Sequence, residues 1–132
     1  MHGLKGERVL MRVHIGERDK YNGEPLYWAI VNLLRRRHLA GATVTRGIMS
    51  YGASSHIHAA KFVDFSLDMP IVVECVDTEE KIDSVLPELD QMVTGGLITL
   101  ERVEVIVYRP HETEQERADD LAMRMTGTNP IT

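Results

Sequence analysis

The residues of this sequence with chemistry to offer are grouped glycines, scattered cations and a histidine pair. Gly47 and Gly52 bracket Ile48-Met49-Ser50-Tyr51, and Gly95-Gly96-Leu97 precedes a later apolar run. Bare backbone at such places can approach a phosphate or a nucleotide edge and offer N–H donors to it; the same glycines also serve tight turns that hold no ligand. The cations able to complement an anion are Arg46, Lys61, Arg102 and Arg109, with His56 and His58 when protonated. Arg46, on the uncovered sheet face by alternation, reads rather as an interfacial ion-pair partner of Glu74 or Glu104. His56 and His58 share a face in an extended segment, but no third ligand accompanies them, so no metal site is assigned. With Lys61 they read as loop residues facing a partner. Cys75, alternating with Ile71 and Val73, reads as a buried thiol.

The elements that must position these residues follow from periodicity. Val9, Met11, Val13 and Ile15 alternate with Leu10, Arg12 and His14, which makes a first strand. Pro25 opens a helix reaching about Ala40, with Leu26, Ala29, Ile30, Leu33 and Leu34 on its buried stripe and Gly41 to stop it. Arg35-Arg36-Arg37-His38 is a basic run at the end where cations suit the helix dipole. Thr43 to Tyr51 reads as the second strand. The connection from Ala53 to Asp68 exceeds the ~12–15 residues of a passive loop, and mobility without ligand or partner is expected of it. Pro70 opens a third strand, and Asp77 with Glu80 forms a capping box for a second helix. That helix carries Ile82, Val85, Leu86, Leu89, Met92 and Val93 on one stripe, with Pro87 inside it. Val103 to Tyr108 supplies the last strand.

The order βαββαβ is that of an α+β, ferredoxin-like fold: an antiparallel four-stranded sheet with both helices on one face. It occupies residues 1–110. Residues 111–132 form a polar tail in which Ala118, Leu121, Ala122 and Met125 have the spacing of a short amphipathic helix. The uncovered sheet face is expected to hold Leu10, Val44, Ile48, Val72 and Ile106 among Arg12, His14, Arg46, Glu74 and Glu104. Such a face is too apolar for water and predicts self-association. Trp28 falls off the buried stripe and reads as a subunit contact.

The whole is 132 residues with 43% hydrophobic and 27% charged content, enough for one domain. A net charge of −5 argues against a nucleic-acid partner. A single cysteine, no apolar run near the ~18 residues of a membrane span, and no apolar leader give a cytoplasmic reading.

With these elements in place, Arg46-Gly47-Ile48-Met49, Tyr51-Gly52-Ala53-Ser54-Ser55 and Ile57-His58 resemble the loop-bearing region of a PII-like family, domain of unknown function 190. Met69 to Glu74, Val76 to Ile82, Leu86-Pro87 and Gly96 to Thr99 resemble it as well, so the likeness spans about Arg8 to Tyr108. Ser50 stands where the pattern calls for a glycine, which stiffens the loop base. The resemblance implies a non-enzymatic signalling protein: a homotrimer that senses an adenine nucleotide between subunits and regulates a partner. The ligand residues would be Gly47, Tyr51, Gly52, Gly95, Gly96, Leu97, Arg102 and Arg109, and His56, His58 and Lys61 would lie on the partner loop. Because members accompany or are fused to small fluoride-exporting channels, it also suggests a membrane transporter or channel as client. The alternative is a divalent-cation-binding trimer of the cation-tolerance type, which shares the architecture. Acylphosphatases share the fold too, but Ile15-Gly16-Glu17-Arg18 sets an acid where a phosphate would bind, and no Ser-His-Asp or Cys-His arrangement can be assembled.

Overall fold

The computed structural model describes residues 4–52, 57–59, 68–110 and 114–126. In chain order its elements are β1 (Gly6–Gly16), β2 (Lys20–Tyr21), β3 (Glu24–Pro25), α1 (Leu26–Arg36), β4 (Thr43–Arg46), β5 (Met49–Ser50), β6 (His58–Ala59), β7 (Pro70–Asp77), α2 (Glu79–Met92), β8 (Leu97–Val105) and α3 (Glu114–Thr126). The main sheet has the order β4-β7-β1-β8 with every neighbour antiparallel. With α1 and α2 on one face, this is the expected ferredoxin-like fold.

The alternation of β1 produces the layers. Val9, Met11, Val13 and Ile15 are buried, as are Ile71, Val73 and Cys75 of β7. They meet Leu26, Ile30, Leu33 and Leu34 of α1 and Ile82, Val85 and Leu89 of α2 in one core cluster. Each such side chain contributes about 1.5–3 kcal/mol by leaving water. Between β1 and α1, the β2–β3 hairpin turns through Asn22 (φ 50°) and Gly23 (φ 82°), the pair of positive φ angles that a two-residue turn between right-twisted strands requires.

Helix α1 stops earlier than Gly41 suggests. His38 takes the left-handed conformation at φ 61°, its N–H donates to the Arg35 carbonyl at 3.1 Å, and the Leu39 N–H donates to the Leu34 carbonyl at 3.0 Å. These two bonds form a Schellman cap, with a histidine where glycine is preferred. Helix α2 runs through Pro87 and begins at Thr78, whose hydroxyl accepts from the Lys81 N–H at 3.2 Å. Asp77, expected as that cap, is instead the last residue of β7 and only 1% exposed. Its carboxylate accepts from the Thr78 N–H at 2.7 Å and from the Ala40 N–H at 2.8 Å, tying the α1–β4 connection to the β7–α2 junction.

The composition of the open face also departs from expectation. Leu10, Arg12, His14, Val72 and Glu74 lie on it, as alternation requires. Thr43 pairs with Glu74 and Thr45 with Val72, so these threonines share the open face, while Val44 and Arg46 take the helix side. Ile48 falls outside β4 and is 80% exposed. The last strand begins at Leu97 rather than Val103 and ends at Val105, leaving Ile106 and Tyr108 beyond it. Leu10 pairs with Glu101 and Arg8 with Val103, so Glu101, Val103 and Val105 share the open face; Glu104, opposite Glu7, does not.

Two outcomes follow from these packing details. His38→Gly relieves a left-handed side chain at the Schellman position and stabilises the protein by about 1 kcal/mol in urea denaturation. Burial, and then the charge of Asp77, push the Cys75 thiol from 9.0 up to about 12. The folded state therefore keeps a proton that the unfolded state loses above pH 9, and stability falls as pH rises from 9 toward 12. Cys75→Ala removes this part of the alkaline decline in a denaturation series across that range.

Candidate functional site

The structure gathers several chain ends at one end of the sheet: the end of β1, the end of β4, the start of β7 and the start of β8. The Glu17 N–H donates to the Met69 carbonyl at 2.8 Å, and the Gly47 N–H donates to the Pro70 carbonyl at 2.7 Å. Asp68 accepts from the Arg18 N–H at 2.9 Å, and Asp19 accepts from the Gly16 N–H at the same distance. Arg46 Nε lies 2.6 Å from Glu17 Oε2. Both stems of the connection between β4 and β7 are thereby pinned to the end of β1.

Arg46 was expected to pair with Glu74 or Glu104 on the open face, and its parity in β4 prevents that. It is instead the cation that accompanies Gly47 at the loop base, held by Glu17. On the open face Glu74 pairs instead with Arg12, whose Nε meets Glu74 and whose Nη1 meets Glu101, each at 3.1 Å. The Glu74 hydrogen bond and then that of Glu101 hold the Arg12 guanidinium above its ordinary range, so this charge triad crosses β7, β1 and β8.

The expected glycines differ in what fixes them. A Cβ on Gly47 would lie 2.6 Å from Pro70 Cγ, and one on Gly96 would lie 2.4 Å from the His14 carbonyl oxygen. Gly47 is therefore required by the Pro70 ring packed against it, and Gly96 by close approach of the β1 backbone. At Gly52 and Gly95 an added Cβ meets nothing within 4 Å among the described residues. Tyr51 is 72% exposed and Leu97 56% exposed, two large side chains standing in solvent beside these glycines.

Within one chain these groups do not form a single pocket. Gly47 leaves β4 and Leu97 begins β8 on opposite edges of the sheet, three strand spacings or about 14 Å apart. Arg102 sits about 17 Å along β8 from Leu97. It pairs with Glu7 at 3.3 Å and Glu79 at 3.6 Å. Arg109 follows β8 at the far end and is exposed. Tyr51, Gly52, Gly95 and Leu97 thus share one end of the sheet, and Arg102 and Arg109 lie toward the other. His56 and Lys61 lie outside the described residues, as does most of the Ala53 to Asp68 connection; His58 is described only as backbone in β6, where it pairs with Ser50. Among the described residues no group of three or more His, Cys, Asp and Glu is placed to hold a metal.

Sequence reasoning missed Asp68 and Asp19 as loop-base acceptors. Glu17 was visible as the acid after Gly16, but only the fold shows that it faces Arg46 rather than a phosphate.

Comparison with known proteins adds the family and the fold. The family model DUF190, described as Uncharacterized ACR, matches residues 8–105. The UPF0166 protein of Methanocaldococcus jannaschii is 38% identical over 94 residues, covering 69% of this chain and 84% of that protein. Among solved structures, the nitrogen regulatory PII-like protein CPII from Thiomonas intermedia K12, bound to ADP, AMP and bicarbonate, superposes with a TM-score of 0.58 at 16% identity. That match covers 75% of this chain and 88% of CPII. A divalent ion tolerance protein from Ehrlichia chaffeensis superposes with a TM-score of 0.50 at 13% identity, covering 81% of this chain and 88% of that one.

The two classes of glycine predict different mutational costs. Gly96→Ala forces its methyl group against the His14 carbonyl and costs more than about 2 kcal/mol, whereas Gly95→Ala stabilises the protein by about 0.5–1 kcal/mol. Urea denaturation of the two variants side by side measures the difference.

Proposed function

This chain belongs to the DUF190 family, and from that membership and its fold we propose that it is a non-enzymatic, PII-like regulatory protein of the cytoplasm. In this reading it assembles as a homotrimer and senses an adenine nucleotide in a cleft between subunits. The observation that carries the reading is the geometry of the glycine-bearing ends. Gly47–Gly52 and Gly95–Leu97 stand at the same end of the sheet but on opposite edges, so one copy offers one group and a neighbour's edge can bring the other. The ligand then lies between copies, with exposed Tyr51 and Leu97 as walls and backbone N–H groups as phosphate donors. CPII, of the same fold, is a structure that holds ADP and AMP.

The cations divide by reach. Arg46 stands at the loop base, where a phosphate would compete with Glu17 for it; Arg102 and Arg109 reach the ligand only from a second copy. The loop carrying His56, His58 and Lys61 would present the signal to a partner, in this proposal an ion-transport membrane protein. Among the described residues no helix is long and apolar enough to cross a membrane. The apolar positions on the open face, Leu10, Val72, Val76, Val103 and Val105, give the trimer its reason to form.

Light scattering at micromolar concentration is expected to give a trimer, and calorimetry to detect ADP or AMP. Gly52→Val and Gly95→Val are suited probes because a side chain at either position meets open space. Each is expected to weaken nucleotide binding about tenfold or more while the trimer persists. Absence of nucleotide binding by the parent at millimolar concentration, or parental affinity in both assembled variants, overturns the ligand site and leaves a protein-binding role.

A further inference from the structure

The face of the sheet without helices carries a groove at the end remote from the loop base. It encloses about 460 Å³ and is lined by Leu10, Val76, Val105 and Tyr108 together with Ala40 and Ala42. Its floor is apolar. At the adjoining rim Ala40 and Ala42 also border a smaller cleft that includes Arg35. Arg35 and Arg36 are exposed, and neither has an ion-pair partner among the described residues. The groove therefore combines an apolar floor with a basic edge.

Helix α3 has the complementary surface. Ala118, Leu121, Ala122 and Met125 recur at helical spacing, and all are exposed. The helix also carries Glu114, Glu116, Asp119 and Asp120 against Arg117 and Arg124, an excess of acid. Among the described residues nothing covers either the groove or the stripe, and each is apolar enough to need cover. Val105 and Tyr108, at the groove, precede α3 in the chain by only a few residues. Helix α3 lies beyond residues 8–105, the span that the family model matches.

We propose that α3 of one copy docks into this groove on a second copy of the chain, with Leu121 and Met125 on the apolar floor and the acidic side toward Arg35 and Arg36. The C-terminal helix is then an exchanged arm that fastens neighbouring subunits on the open face. This rests on the homo-oligomer reading above and adds the residues that lock it. The contact buries an amphipathic helix in an apolar groove, with rim charges setting its direction.

The test uses full-length chains. Leu121→Cys and Ala42→Cys variants are co-expressed and treated with a short bismaleimide; Cys75 is buried, and the parent serves as the unlinked control. A covalent dimer in the mixed sample, absent from either variant alone, is the expected result. Arg35→Glu with Arg36→Glu is expected to lower its yield roughly fivefold through lost rim pairing. The double variant Leu121→Cys/Ala42→Cys in one chain reports docking within a chain: an internally linked monomer as its main product, with no dimer in the mixed sample, overturns the exchange between copies. Light scattering of the same samples separates the two readings. Assembled protein without the cross-link defeats the docking alone, while a monomeric parent defeats the docking and the assembly together.

Discussion

Strand β1 is hydrogen-bonded along both edges, and the faces of the whole molecule depend on that double ladder. Its pairing places Arg12 opposite Glu74 on one side and Thr99 on the other. Because side chains alternate with a period of two, a slip of one residue against either neighbour would turn Met11 and Val13 to solvent and Arg12 inward. The cost would be several buried apolar side chains at about 1.5–3 kcal/mol each, plus a desolvated guanidinium. Register is thus set by what α1 and α2 can cover. Two helices cover one face of a four-stranded sheet, and the open face of Leu10, Val72, Val76 and Val105 around the Arg12 triad is the consequence.

The two ends of this sheet are built by different physics. At one end the buried Asp77 carboxylate takes two backbone N–H donors, and removing it would leave those donors without this acceptor in a part-buried junction. At the other end the contacts are exposed and charged: Arg46 with Glu17, and Asp68 with the Arg18 backbone. Ion pairs at that exposure are worth under about 1 kcal/mol, so the Arg46–Glu17 pair holds the loop base only weakly. The rigid end anchors the fold, and the weakly held end carries the connection between β4 and β7.

Much of this was legible in the sequence because the central elements repeat a clear period. Val9 to Ile15, Ile71 to Cys75 and the stripes of α1 and α2 each announce a buried face, and the order of those elements gives the fold. The errors fall where local pattern and tertiary pairing disagree. Leu97 to Arg102 lacks alternation since β8 is an edge strand with exposed residues on both faces, so its start was read too late and its parity reversed. Val44 and Arg46 were placed on the open face by continuing alternation through Thr43 to Tyr51, but the pairing of Thr43 with Glu74 fixes the opposite parity. His38 gave no sign of a helix end, because the Schellman bonds and the burial of Leu39 decide that position over glycine preference. Asp77 looked like a cap because its type suits one, yet Thr78 supplies the hydroxyl while Asp77 serves a longer-range joint.

The glycines show why a site is harder to read than a fold. Sequence presents Gly47, Gly52, Gly95 and Gly96 as one class, whereas the structure divides them by what a side chain would strike. Gly47 faces Pro70 and Gly96 faces the β1 backbone, so the packing of β4 and β8 accounts for both without any ligand. The described structure supplies no steric reason for glycine at Gly52 or Gly95, and neither has a left-handed φ. Glycine there costs about 0.5–1 kcal/mol of unfolded-state entropy relative to alanine, a cost that no close contact among the described residues offsets. The described residues leave that backbone open to approach, with the exposed side chains of Tyr51 and Leu97 beside it.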